Sequence, residues 1–347
     1  MNEFFMKRKY QAVEGRFARL ARHPGIIQIT LGLFILLPIL FASFISERYQ
    51  KCVELEIKKS RETESFILKP PSLVFFRFFL DPAYGANPKI IKPDGDKQFP
   101  PPVDENMDEK EPGIHTIHYF GTDHKGKDIL VNIMIGARTA IWGSALAITI
   151  ALLIGIPLGV MAGYLGGWIE KSVGYLTTIL TTLPKLIVLI IVASIYNYTS
   201  ITIMVAIGVL ASPKIMDIIQ TRIQLLKESQ FIEAAKEMGV PGHIIIIKHI
   251  LWHNCNTLIF IQLAYEFAEV ILLEASLSYI GFGPKNVPTW GSMVDQGFRT
   301  IDHEVNGQPF EQYWSFFFPC LFIVLSISAS IMLADGLKKW FSNRVID

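Results

Sequence analysis

Between Gly25 and Ile45 the chain runs for 21 residues without one charged side chain. Coiled into a helix at 1.5 Å per residue, such a run crosses a hydrocarbon core of about 30 Å. Lipid offers no partner to a backbone N–H or C=O, so a spanning segment must satisfy these groups itself, and a helix does so. Further apolar stretches follow at about Thr139–Gly163, Ser172–Tyr196, Ile201–Ser212, Asn254–Ile280 and Tyr313–Ala334. Only 18% of the residues are charged, against 51% hydrophobic. Soluble domains seldom combine these values. The fold class expected is therefore all-α and integral to the membrane, with six transmembrane helices. The net charge of +1 gives no hint of nucleic acid, and three scattered cysteines, Cys52, Cys255 and Cys320, form no disulfide framework.

Charge sets the expected topology. Residues 1–24 carry Lys7, Arg8, Lys9, Arg16, Arg19 and Arg22 against Glu3 and Glu14, which assigns them to the cytoplasm. The first apolar run is too long for a signal-peptide core, and no clear small-residue cleavage site follows it. It is read as a retained first span, 25–45, with Pro38 suggesting a kink. Residues 46–126 form a long polar insert, external by alternation; its aromatic run Leu73–Leu80 is too short to span. Residues 127–340 hold the other five spans, and 341–347 form a cytoplasmic tail. Lys127–Arg138 reads as an amphipathic lead into the second span, whose Gly143, Gly155 and Gly159 favour close helix packing. The third span is expected to run through Pro184-Lys185, and the fourth to continue as an amphipathic helix over Pro213–Lys227. Lys214, Arg222, Lys227, Lys236 and Lys248 give the region between the fourth and fifth spans a cytoplasmic charge bias.

That region contains Ser229–Leu251, the one polar stretch between long apolar ones. It reads as two short helices with a break: Ser229 as N-cap, Gly239 as the residue past the first helix, Pro241 opening the second. Glu233-Ala234-Ala235 places two small residues beside one charge, and small side chains let another surface approach the backbone. On spacing alone, the ordinary reading of a helix-turn-helix packed on its own protein comes first.

Several motifs imitate chemistry. Gly121-Thr122-Asp123-His124-Lys125-Gly126-Lys127-Asp128 approaches a phosphate-binding loop, but ends in a carboxylate where a Ser or Thr hydroxyl should hold Mg²⁺. No buried strand precedes it, so it is rejected. His249 and His253 stand four apart, as in a zinc pair, without the glutamate of the metalloprotease motif; packing is the better reading. His115, His118 and His124 read as solvent-exposed loop histidines. No metal site is assigned, and no ATP motif is present.

Lys185, Glu266, Glu269 and Glu274 are the informative charges, because ionisable groups inside a span are costly and face protein or water. Lys185 lies about 13 residues into the third span, and Glu266 and Glu269 about 12–15 into the fifth, from the same side. The two glutamates share a helix face. The expectation is that Lys185 pairs with one of them near the midplane, leaving excess negative charge beside a passage. Two other classes remain open on this basis: a proton-coupled secondary transporter, or an intramembrane enzyme using Glu266 and Glu269 as acid and base.

Glu233-Ala234-Ala235 with Gly239 resembles the EAA loop of ABC-importer membrane subunits. Phe120-Gly121-Thr122-Asp123, Gly136-Ala137-Arg138, Ala162-Gly163-Tyr164-Leu165-Gly166-Gly167, Glu274-Ala275-Ser276-Leu277, Pro288-Thr289-Trp290-Gly291 and Asp335-Gly336-Leu337 fall in the order seen in C-type permeases for dipeptides, oligopeptides and nickel. The likeness covers roughly Tyr119–Trp340. It implies a permease subunit of an ATP-driven importer, with no cofactor on this chain and ATP with Mg on a partner. The implied partners are ABC ATPase subunits gripping the cytoplasmic loop, a related second permease and an external substrate-binding protein. Glu274 matches a glutamate of that family. Glu266 and Glu269 stand where the family has small or apolar residues, which points to a particular, cationic cargo.

Overall fold

A computed structural model describes residues 25–43, 66–68, 89–91, 119–121, 123, 127–196, 199–284, 287–301, 304–305, 308–309 and 313–343. The basic N-terminus, most of the insert with Leu73–Leu80, and His115, His118 and His124 lie outside these residues.

Nine helices longer than one turn carry the described chain. They are α1 (Gly25–Ser43), α2 (Ile129–Leu165), α3 (Gly167–Thr182), α4 (Lys185–Ile195), α5 (Ser200–Lys227), α6 (Gln230–Glu237), α7 (Asn256–Leu277), α8 (Trp290–Ile301) and α9 (Tyr313–Asn343). Between α6 and α7 lie a single turn, Gly242–Ile244, and a π-helical stretch, Ile245–Cys255. A second π-helical stretch, Ser278–Phe282, follows α7, and two short antiparallel pairs complete the elements: β1 (Phe66–Leu68) with β2 (Lys89–Ile91), and β3 (Glu304–Val305) with β4 (Gln308–Pro309). Among the described residues four helices, α1, α2, α5 and α9, are long and apolar enough to cross a membrane. They become five if the bent pair α3 and α4 counts as one span.

The third span departs from expectation. It starts at Gly167 rather than Ser172, and it is two helices meeting at 87° instead of one. Proline is the cause. Pro184 has no N–H to donate, and its ring pushes the preceding residue out of helical geometry; Leu183 is extended at φ −74°, ψ 132°. Pro213, by contrast, sits buried inside the unbroken 28-residue α5. The fifth span also differs, because the helical path begins at Gly242 and runs on through the π stretch into α7. The expected second short helix has merged with it.

The residues divide into two compact units. The first takes the described residues within Met1–Pro38, Trp142–Glu274 and Leu325–Asp347. Its core lies between α2 and α5. A Cβ at Gly155 would stand 2.8 Å from Cβ of Ile215, and one at Gly159 would stand 2.8 Å from the Met216 carbonyl oxygen. Gly208 answers from α5, where a Cβ would come 2.5 Å from the Ala147 carbonyl oxygen. The small residues therefore let the two backbones approach, as their frequency suggested. Ile219 and Ile223 continue the seam into a cluster with Ile232, Ala235, Ile245 and Ile250.

The second unit takes the described residues within Ile39–Ile141 and Ala275–Val324. Its centre is Trp290, 1% exposed, whose indole N–H donates to the Ile133 carbonyl at 2.9 Å. Helix α8 falls between the expected fifth and sixth spans, where the sequence reading placed no element. Thr289 opens it with a reciprocal cap: the Ser292 N–H donates to Thr289 Oγ1, and the Thr289 N–H donates to Ser292 Oγ. At the false phosphate loop, Asp128 caps α2 by accepting from the Val131 N–H at 3.1 Å.

Candidate functional site

Two groups of residues singled out in the sequence lie in the first unit. The first is α6. The main chain at Ser229 is extended, at φ −77°, ψ 140°, as an N-cap requires. Its hydroxyl does not cap, however; it donates back to the Leu226 carbonyl at 2.5 Å. At the other end the Val240 N–H reaches the Ala235 carbonyl and the Gly239 N–H reaches that of Lys236. This is a Schellman ending, with Gly239 in the left-handed region at φ +77°. Helix α6 rests on its own chain through Ile232 and Ala235, both buried, while Glu233 and Ala234 are exposed. Of the two small residues only Ala234 is therefore open to another surface. Phe231 and Met238, the latter 76% exposed, flank it with apolar area. Nearby, Lys227 donates to the Tyr164 carbonyl at 3.1 Å, and the Gln224 amide donates to Glu170 at 2.9 Å. These contacts tie the end of α5 that leads into α6 to α2 and α3.

The second group is ionic. The Lys185 ammonium lies 2.6 Å from Oε1 of Glu269, so helices α4 and α7 meet through this pair. Lys185 is the first residue of α4, where the helix dipole disfavours a cation; the Glu269 carboxylate offsets that. Lys214, from the middle of α5, lies 2.5 Å from the other oxygen of Glu269 and 3.8 Å from Glu266. Glu266 also accepts from the Gln262 amide at 2.6 Å. Two ammoniums thus face two carboxylates, and the excess negative charge expected here is absent because Lys214 supplies the second cation.

Lys214 was counted only as part of a cytoplasmic charge bias. The signal that would have found it is helix length: in a helix of 28 residues from Ser200, position 214 is the middle. Glu274 is buried on the same helix as Glu269, about 7.5 Å further along the axis and about 140° round it. One turn before Glu269, the Tyr265 hydroxyl donates to Asp335 of α9. That contact gives the Asp335-Gly336-Leu337 motif a partner the sequence did not reveal.

His249 and His253 place their rings 6.2 Å apart on the π stretch. Among the described residues no group of three or more His, Cys, Asp or Glu side chains is arranged to hold a metal. The second unit contains a cleft of about 350 Å³, lined in part by Asp123, Lys127, Asn132, Asp295 and Gln296. None of the residues singled out as site candidates lines it.

Comparison with known proteins adds the following. Residues 155–347 match the sequence model of a family described as the binding-protein-dependent transport system inner membrane component. The chain is 32% identical over 237 residues to the oligopeptide transport system permease protein OppC of Escherichia coli K12, covering 68% of this chain and 76% of that protein. It is 33% identical over 237 residues to OppC of Salmonella typhimurium, with the same coverage. It is 30% identical over 241 residues to OppC of Haemophilus influenzae, covering 68% of this chain and 73% of the relative.

Proposed function

The chain belongs to the family of binding-protein-dependent transport system inner membrane components, and on that premise we propose that it imports peptides or peptide-like solutes by alternating access driven by a separate ATPase. It is a multi-pass membrane permease subunit, not itself catalytic. In the proposed arrangement α7 is a sixth span beside α1, α2, the bent pair α3–α4, α5 and α9, and both termini are cytoplasmic. ABC ATPase subunits, holding ATP and Mg, grip Glu233, Ala234, Ala235 and Gly239. A second, related permease completes the passage, and an external binding protein delivers cargo. Lys185, Glu266, Glu269 and Glu274 border the path.

The observation that carries this reading is the construction of α6. One stripe, Ile232 and Ala235, fixes it to the cluster on α5 and the π stretch, while Phe231, Glu233, Ala234 and Met238 stand outward. An element fixed on one side and apolar on the other moves as a body when a partner holds its open side. Only Met238–Pro241 separate α6 from the helical path that runs through Gly242–Ile244 and Ile245–Cys255 to the glutamates of α7, so displacement at the loop reaches the ionic group.

The test is uptake of a labelled tripeptide into vesicles containing this chain, its partner permease, the ATPases and the binding protein. Uptake that needs ATP and is lost in Glu233→Arg supports the proposal. Uptake driven by a proton gradient without ATP would overturn it in favour of a secondary transporter.

A further inference from the structure

The ionic group contains one carboxylate oxygen with no donor. Glu266 is 1% exposed; its Oε1 accepts from Gln262, while its Oε2 is buried and accepts no hydrogen bond among the described residues. A buried carboxylate oxygen left unmatched is costly, so the arrangement is complete only when a further donor arrives. The group also has one member built to move. Lys185 is 17% exposed and sits at a helix start, but the Lys214 side chain is 44% exposed. A half-exposed ammonium at the middle of a membrane helix does not face hydrocarbon; it borders water or another subunit. The face of α5 that carries Lys214 is therefore the one from which a solute reaches the two carboxylates.

We infer that Glu266 and Glu269 form a receptor for a primary ammonium of the cargo, the free amino terminus or a lysine side chain of a peptide, and that Lys214 is a resident counter-ion which this ammonium displaces. The inference rests on reading the chain as a peptide importer. The exchange conserves charge: one ammonium enters as another withdraws to its exposed side, and two cations still face two carboxylates. The incoming ammonium has the same three donors as Lys214 but is not tethered to α5, so it can sit between the two carboxylates where Lys214 reaches Glu269 closely and Glu266 only at 3.8 Å. Glu266 Oε2 gains its missing partner. Lys185 keeps Glu269 in place throughout.

Acetylation of the peptide removes the ammonium and little else, which supplies the test. The complete assembly in vesicles is offered trialanine or N-acetyl-trialanine, and the ratio of variant to native uptake for each peptide cancels any preference of the binding protein. In Lys214→Met the competitor is gone, and uptake of trialanine at subsaturating concentration rises about threefold relative to the acetylated peptide. In Glu266→Gln trialanine uptake falls by a similar factor while that of the acetylated peptide holds. Co-elution of each variant with the ATPases establishes that it folds and assembles. If both variants change the two peptides by the same factor, the carboxylates serve the structure or a cation of the second subunit, and the inference fails while the importer reading stands. If the native assembly takes up neither peptide with ATP, the importer reading itself fails and takes the inference with it.

Discussion

Lys185 and Glu269, 84 positions apart in sequence, meet at 2.6 Å, and Lys214 approaches the same carboxylate from the opposite oxygen. Glu269 is thus the shared anion of two lysines from two different helices, and its side chain is 25% exposed. Replacing it strands Lys185 and leaves Lys214 only Glu266, 3.8 Å away.

Glu269→Gln is therefore expected to destabilise the chain more than either lysine variant. Breaking a fully buried pair costs about 3–5 kcal/mol; partial exposure reduces this to about 1–3 kcal/mol. Lys185→Met should cost less, because Lys214 remains to hold Glu269. Thermal unfolding of the purified assembly reads the order. A Tm for Glu269→Gln equal to or above that of Lys185→Met would refute the shared-anion account.

The seam between α2 and α5 makes a sharper steric forecast. Gly208→Ala puts a methyl group 2.5 Å from the Ala147 carbonyl oxygen, and backbone cannot yield as a side-chain end can. The helices must separate, with a loss of about 1–3 kcal/mol. Gly174→Ala is the control, since nothing lies within 4 Å of a Cβ there. Yield of folded protein in mild detergent should fall for the first and hold for the second.

How much of this was legible depends on which physical signal each feature leaves. Apolar runs announced α1, α2, α5 and α9, because span length is a one-dimensional property of the chain. The glycines of α2 announced close packing for the same reason. Lys214 was hidden by a boundary: the apolar run was taken to end at Ser212, so the lysine two positions on was counted with the cytoplasmic charges. Its partners are set by helix–helix contacts that no local pattern encodes. The break at Pro184 was available in principle, since a proline after Leu183 disfavours the helix there, but apolarity on both sides read as continuity. Helix α8 was concealed by Pro288 and Gly291, residues that signal a loop; here proline precedes the cap, and Gly291 lets the helix lie against the Ala275 backbone. The π stretch left no signal recognised in the sequence.

At the end of α6 the constraint is purely conformational. Gly239 has φ +77° with nothing within 4 Å of a Cβ, so Gly239→Ala meets no clash but must hold a left-handed backbone, at about 1–2 kcal/mol. Gly239→Asn should recover part of that, because asparagine tolerates this region. Protease susceptibility around Val240–Pro241 measures the fraying: alanine should be cut fastest, asparagine less fast and the native chain slowest. Equal rates for all three would show that the Schellman ending does not hold α6.

The two faces of α6 separate partner contact from folding. Ile232→Asp buries a charge in the cluster with Ile219, Ile223 and Ile245, and should cost several kcal/mol, so little folded chain is recovered. Met238→Asp alters a side chain that is 76% exposed, so Tm should shift by no more than surface substitutions usually produce. Its effect should appear instead in retention of the ATPase on an affinity column. A variant at Met238 that unfolds the chain, or that retains ATPase undiminished, counts against α6 as the docking element.

In the second unit, Trp290 combines a hydrogen bond and a shape match that different substitutions take apart. Trp290→Phe removes the N–H that satisfies the Ile133 carbonyl and leaves a gap where the larger ring was. A lost buried hydrogen bond costs about 1–3 kcal/mol, and the missing volume adds to it. Gly136→Ala keeps the indole but places a methyl 2.6 Å from its Cδ1, so the ring must tilt and the same hydrogen bond lengthens. If the two residues act through one contact, the double variant should lose less than the sum of the singles, because a phenyl ring leaves room for the methyl. Additive losses, measured by thermal unfolding of the three variants, would mean that Gly136 and Trp290 support the unit independently.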